Sequence, residues 1–364
     1  MLDHDVEPAG EAALQWIHER DPGSFAGANP IATGEYIAMR IDNNLEVLDA
    51  ATGDRHWHAD ERNATPVRMT DQHVEAIISI RDGNALVTYN LADGTEHNRL
   101  EIDEGLRPAT VTADSIYYTT YDNDTRVGKL VARDRPDGEV RWRVSIDEAH
   151  PATPAVEDET VVVGVQQTNT DSDHNGIVLA VDRTTGAEKW RFTELPRVRS
   201  PVAVTADTVF ATSSDGPALT AIDAATGDHR WTTQTLNGTH VAPVVADEAV
   251  YLGTTDEELY KLDRADGSPN WRVDLAGRTG NASMALVGRT LYVPRAYAGP
   301  DGDRSLVAAI DVDAGDVVWD VLVDNRNLSS IAPAGNTVFV GTTDFGSTES
   351  PDRLLAFAAG PTEE

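Results

Sequence analysis

Leu48-Asp49-Ala50-Ala51-Thr52-Gly53-Asp54-Arg55-His56-Trp57 returns as Val181-Asp182-Arg183-Thr184-Thr185-Gly186-Ala187-Glu188-Lys189-Trp190 and as Ile222-Asp223-Ala224-Ala225-Thr226-Gly227-Asp228-His229-Arg230-Trp231. Weaker copies place the same glycine at Gly94, Gly138, Gly267 and Gly315, so successive glycines stand 41, 44, 48, 41, 40 and 48 residues apart. A period near forty residues marks stacked supersecondary units, none of which buries its apolar face alone.

Each repeat reads as strands around a tight turn. An alternating apolar run such as Leu259-Tyr260-Lys261-Leu262 suits a half-buried strand. The aspartate ends it and offers its carboxylate to amides of the turn. The Thr-Gly or Asp-Gly pair supplies a residue that tolerates positive φ. Four positions after the glycine a Trp sits on the next strand, where a large ring at fixed register can bridge to a neighbouring repeat. Upstream lie a second β signal, as in Val161-Val162-Val163-Gly164, and a third, short run that often carries Pro, as in Ser200-Pro201-Val202-Ala203. Four strands per repeat, repeated radially, predict an all-β propeller of four-stranded antiparallel blades.

The central strand pair occurs eight times, ending at Asp49, Asn90, Asp134, Asp182, Asp223, Asp263, Asp311 and Phe357. The last copy runs out of chain before a Trp strand, and Trp16 lies one repeat before Trp57. The register therefore predicts that 12–17 form the outer strand of the final blade, although local propensity would allow a helix over 11–20. Eight blades are expected, with seven as the alternative. One propeller domain over 12–358 is expected, with tails at 1–11 and 359–364.

Asp-x-x-Thr-Gly-x-x-x-Trp resembles the pyrroloquinoline-quinone-like (PQQ-like) repeat with its tryptophan-docking motif. The resemblance covers roughly 12–358 and assigns the docking role to Trp16, Trp57, Trp142, Trp190, Trp231, Trp271 and Trp319, with Asn98 in place of Trp in the second copy. It implies either a simple, BamB-like propeller acting as a protein-binding scaffold or a quinone-dependent dehydrogenase. The quinoprotein enzymes of the family resemble larger chains with a vicinal Cys pair over the quinone, and this chain has no Cys. PQQ is thus the less expected cofactor. No Ser nucleophile elbow, phosphate-binding Gly loop or His-Glu-x-x-His helix is present, so the primary reading is non-enzymatic. His56 and His58 straddle the docking Trp57 and read as surface.

The formal charge is −32, from 61 acidic and 29 basic residues, and the only lysines are Lys129, Lys189 and Lys261. Acid excess with lysine depletion reads as adaptation to molar salt, where screening relieves self-repulsion. Such a field repels phosphate and argues against nucleic acid. No run of apolar residues reaches membrane-spanning length. Sequons at Asn63, Asn123, Asn237, Asn281 and Asn327, together with the family resemblance, point to a cell-surface or extracytoplasmic location, with the cytoplasm as the alternative.

Loops of a four-stranded blade alternate between two faces. The Thr-Gly turns are short and uniform and predict a plain scaffold face. Length variation falls on the other face, at 121–127, 166–176, 296–304 and 344–352, where function concentrates. Crossovers entering the innermost strands carry Arg62, Arg107, His150, Arg199, His240, Arg278 and Arg326, expected near the mouth of a central channel. These groups can focus an anionic small molecule; alternatively they pair with Glu61, Glu104, Glu148 and Asp324. Asp171-Ser172-Asp173-His174-Asn175-Gly176 has the Asp-x-Asp-x-Asn-Gly spacing of calcium loops, with Asp182 twelfth, so Asp171, Asp173 and Asn175 are candidate calcium ligands. The competing reading spends Asp182 on the repeat's own turn.

Overall fold

A computed structural model describes residues 6–9, 14–20, 29–106, 109–135, 137–168, 175–214, 219–233, 238–239, 241–255, 257–275, 282–299, 302–323, 327–343 and 352–358. All regular structure among them is β, arranged as eight antiparallel sheets. Blade 1 comprises Ile31–Ala32, Tyr36–Ile41, Asn44–Asp49 and Arg55–Ala59, hydrogen-bonded in chain order. Blades 2 to 6 repeat this plan over 65–102, 109–147, 149–195, 203–232 and 244–274, and blades 7 and 8 over 285–323 and 327–358. The third strands of the first seven blades end at Asp49, Asn90, Asp134, Asp182, Asp223, Asp263 and Asp311, as the periodicity predicts, and the last ends at Ala358.

Blade 8 takes its outer strand from the other end of the chain. Leu14–Arg20 pairs antiparallel with Asp352–Ala358, placing Trp16 opposite Ala356. The strand expected from the Trp register therefore forms, over 14–20 rather than 12–17. A second N-terminal strand, Val6–Ala9, lies within the stretch read as a tail and pairs with the outer strand of blade 7, Val317–Val323.

By contact density the chain divides into two compact units. The first holds Met1–Arg81, Ala85–Arg99 and Trp271–Glu364; the second holds Asp82–Asn84 and Leu100–Asn270. Within each, the apolar cores lie between consecutive blades. In the first unit, Tyr292, Trp319, Val338 and Phe357 pack blade 7 on blade 8. Met39, Leu48, Phe339 and Leu354 pack blade 8 on blade 1, and Val47, Trp57, Ile78 and Tyr89 pack blade 1 on blade 2. In the second unit, equivalent clusters join blade 3 to 4, 4 to 5 and 5 to 6. Alternation along each strand sends apolar side chains to both faces of these blades, because each blade has a neighbour to cover it.

The turn motif explains the regularity. Asp49 Oδ1 accepts the amides of Ala51 and Thr52, and the Gly53 amide donates to the Asp49 carbonyl at 2.9 Å. The glycine sits at φ 75°, in the left-handed region that a side chain rarely adopts. Asp182 makes the same bonds to Thr184 and Thr185. It is therefore occupied by the turn, which favours the structural reading of that aspartate.

Candidate functional site

Six of the seven docking Trp residues bond to the turn of the repeat that follows them, and Trp319 packs between Tyr292 and Phe357. The indole N–H of Trp57 donates to the Leu91 carbonyl at 2.7 Å. Trp142 donates to Arg183, Trp190 to Ala224, Trp231 to Arg264 and Trp271 to Val312, at 2.9–3.1 Å, and Trp16 donates to Ala50 at 3.0 Å. In every case the acceptor is the residue after the next repeat's turn aspartate or asparagine. The ring meanwhile lies flat against the next turn glycine. In the second copy, Asn98 does not dock; Leu100, two residues on, lies against Gly138 instead.

Where the acceptor is arginine, its side chain returns the contact. Arg183 receives Trp142 at its carbonyl and sends its guanidinium back to Asp114 at 2.6 Å and to the Tyr117 hydroxyl at 3.0 Å, both on blade 3. Arg264 receives Trp231 and reaches back to Asp207 and Thr205 on blade 5. One residue thus clasps the preceding blade by backbone and by side chain. The only trace of this in the sequence is an Arg following the turn aspartate, too common a residue to single out.

The Thr-Gly side is less plain than expected. A groove of about 760 Å³ opens between blades 5 and 6, lined by Asp207, Arg230, Asp247, Glu248, Asp263 and Arg264. Arg230 forks between Asp207 and Asp223, at 2.9 Å to each. Both carboxyls are held at about 2. At Asp207, burial pushes upward and is outweighed by hydrogen bonds from Arg230, Thr208 and Thr205; at Asp223, the bond from Arg230 leads. A smaller groove of about 300 Å³ lies between blades 4 and 5, beside Glu157, Asp158 and Lys189.

Among the expected channel-mouth residues, Arg107, His240, Arg278 and Arg326 lie outside the described residues. Arg62 is exposed on the crossover into blade 2. Its neighbour Glu61 is engaged by Arg99 at 2.5 Å, and Glu104 by Arg143 at 2.6 Å and the Tyr118 hydroxyl at 2.6 Å. Among the described residues these two acids thus serve Arg99 and Arg143. The Tyr118 hydroxyl is pushed up to about 12, by burial first and by Glu104.

The second unit brings two of the predicted residues together. The His150 ring packs on Tyr121 at 3.6 Å between centroids, while its backbone pairs with Gln166. Gln166 Oε1 in turn accepts from Arg199 Nε at 3.0 Å. His150 and Arg199 are exposed, and Tyr121 and Gln166 are half-buried beneath them. The patch runs from the hairpin of blade 3 through the crossover into blade 4 to the crossover into blade 5; Tyr121, His150 and Gln166 lie in paired strands, and Arg199, on the loop between Leu195 and Ala203, is tied to them by its bond to Gln166. It presents one permanent cation and one protonatable ring, and among the described residues Arg199 Nε bonds a neutral amide rather than a carboxylate. The sequence expectation placed these groups at equivalent crossovers; the bridging role of Tyr121 and Gln166 was not foreseen.

Of the expected variable loops, 296–304 continues two strands over its described residues, paired from Ala296 with Ser305 to Gly299 with Gly302. The calcium candidates Asp171 and Asp173 lie outside the described residues. Asn175 is buried, and its carbonyl accepts from the Gln167 amide at 2.7 Å. Among the described residues no group of three or more His, Cys, Asp or Glu side chains is arranged to hold a metal ion, and no helix is long and apolar enough to cross a membrane.

The sequence profile described as "Outer membrane protein assembly factor BamB" matches residues 81–172 and 174–341. No curated protein sequence matches the chain. Among solved structures, the crystal structure of BamB from Moraxella catarrhalis is similar with a TM-score of 0.65 and 16% identity, covering 99% of each chain. The computationally designed Ika8 protein is similar with a TM-score of 0.69 and 14% identity, covering 93% of this chain and 98% of that one. At such identities the likeness speaks to fold, and the fold class is the eight-bladed β-propeller.

Proposed function

Since the chain belongs to the family of the outer membrane protein assembly factor BamB, we propose that it is a non-enzymatic scaffold that holds a protein partner through its hairpin-and-crossover surface. The observation that carries this reading is the patch of Tyr121, His150, Gln166 and Arg199, in which an exposed His on a paired strand and an exposed Arg bonded to the neighbouring strand present recognition groups side by side. Arginine and aromatic side chains held in place on a rigid support lose little freedom on binding and so make efficient anchors. The near-complete mutual coverage with a BamB structure supports the same assignment, because almost the whole chain is accounted for by the blades. By the same family argument, the cell surface or another extracytoplasmic location is the proposed place of work.

Site-specific photo-crosslinking in native extract at molar potassium chloride tests it. A photoreactive residue replacing His150 or Arg199 is expected to trap one protein of discrete mass, and one replacing Ala225, on a Thr-Gly turn, none. Equal trapping from all three positions, or none from any, would overturn the proposal.

A further inference from the structure

The outer strand of blade 7 differs from every other outer strand in its guards. The other seven each carry at least one Arg or Lys, from Arg99 in blade 2 through Arg191 in blade 4 to Arg272 in blade 6. Such charges on an exposed strand edge deter pairing with other chains. Val317–Val323 reads Val-Val-Trp-Asp-Val-Leu-Val and contains none. It is also the outer strand on which a further strand lies. Val6–Ala9 pairs antiparallel with its second half, Val6 opposite Val323 and Ala9 opposite Asp320. The first half extends beyond that cover, and Val317 and Val318, 44% and 56% exposed, are the two most exposed large hydrophobic side chains among the described residues.

We propose that the outer edge of Val317–Val323 is a strand-accepting surface for this chain's own N-terminal segment, with Val6–Ala9 its resident occupant in cis and the same segment of a second copy its occupant in trans. The seated strand supplies the geometry: antiparallel, in the register Glu7 to Leu322 and Pro8 to Val321. A proline is tolerated on an edge strand where its missing N–H would point away from the ladder, which directs the Glu7 and Ala9 amides toward blade 7. Four residues cover only part of a seven-residue strand, and an occupant long enough to reach Val317 gains the two exposed valines as well. Main-chain bonds along the edge give affinity, and alternate side chains give selection. This surface is separate from the His150–Arg199 patch, and its test stands or falls without it.

The probe is a fluorescent peptide of residues 1–13 of this chain, read by anisotropy. A variant lacking residues 1–9 is expected to bind it saturably, and the full chain at least tenfold more weakly. N-methylation of the Glu7 amide in the peptide should abolish binding, while N-methylation of Val6 should leave it. A second variant keeps the chain whole: since the protein has no cysteine, Glu7→Cys with Leu322→Cys can lock the cis strand. The locked form should refuse the peptide and the reduced form accept it. No binding to the truncated chain with its circular dichroism intact, or equal binding by locked and reduced forms, would overturn the proposal. So would insensitivity to both N-methyl groups, or a dimer of the truncated chain that the peptide does not dissolve.

Discussion

A Cβ placed on Gly267 would lie 2.4 Å from Cε3 of Trp231, in the preceding repeat. The turn glycine is thus needed twice, once for its φ of 74° and once because a neighbour's ring occupies the space where a side chain would begin. Gly267→Ala is expected to destabilise the protein by about 2 kcal/mol or more, from left-handed strain and displacement of the ring. Gly34 has open space at that position and no left-handed φ, so Gly34→Ala should fall within about 1 kcal/mol of the parent. Denaturant titrations in molar potassium chloride compare the two.

Trp231→Phe keeps most of the ring and removes the N–H that donates to Arg264. The expected loss is about 1 kcal/mol, the typical worth of one hydrogen bond. Trp231→Ala also opens a cavity at a position buried to over nine-tenths, and large-to-small core changes of this kind cost about 3–5 kcal/mol. Equal losses for the two variants would show that the carbonyl, rather than the ring, dominates the docking.

Those features were legible because they are local. The turn aspartate, the glycine and the Trp four residues on are fixed by the chemistry of one hairpin, so three clear copies sufficed to place eight blades and to recognise Trp16 as an outer strand. Leu100 was not legible: in the second repeat the docking role moves two residues along and changes chemistry, and only the packing against Gly138 reveals it. The segment 296–304 reads as a loop from its composition, but its described residues pair as strand, because the partner strand supplies hydrogen bonds that composition does not announce. The patch was half legible. His150 and Arg199 stand at equivalent crossovers and could be picked from the repeat, whereas Tyr121 and Gln166 join them only through contacts between blades.

Arg230 holds Asp207 and Asp223 at about 2, below the ordinary value of 3.8. A carboxyl lowered on folding stabilises the native state fully above its unfolded value, and that contribution fades as pH falls from about 4 through 2. Arg230→Gln should therefore move the acid-unfolding midpoint, followed by Trp fluorescence, upward by a few tenths of a pH unit, that is, about 0.3, while leaving neutral-pH unfolding less affected in molar salt. A downward move would show that Arg230 is not the source of the depression.

With 61 acidic residues against 29 basic, self-repulsion opposes folding at low ionic strength. Raising potassium chloride from about 0.1 M to 1 M shortens the screening length from about 10 Å to about 3 Å. The melting temperature should rise over that range. The pair between Arg264 and Asp207 should weaken, so that Arg264→Gln costs less in high salt than in low. A melting temperature indifferent to salt would remove the reading of the charge as salt adaptation.

Blade 8 joins Leu14–Arg20 to Asp352–Ala358, strands separated in the chain by all the other blades. A ribosome that stalls anywhere before Asp352 releases a chain whose Trp16 strand has no partner to receive it. Early blades can begin to stack during translation, but the sheet that joins Leu14–Arg20 to Asp352–Ala358 forms only when translation has passed Ala358. Completion of this one strand pair therefore reports that every repeat between the two strands has been made.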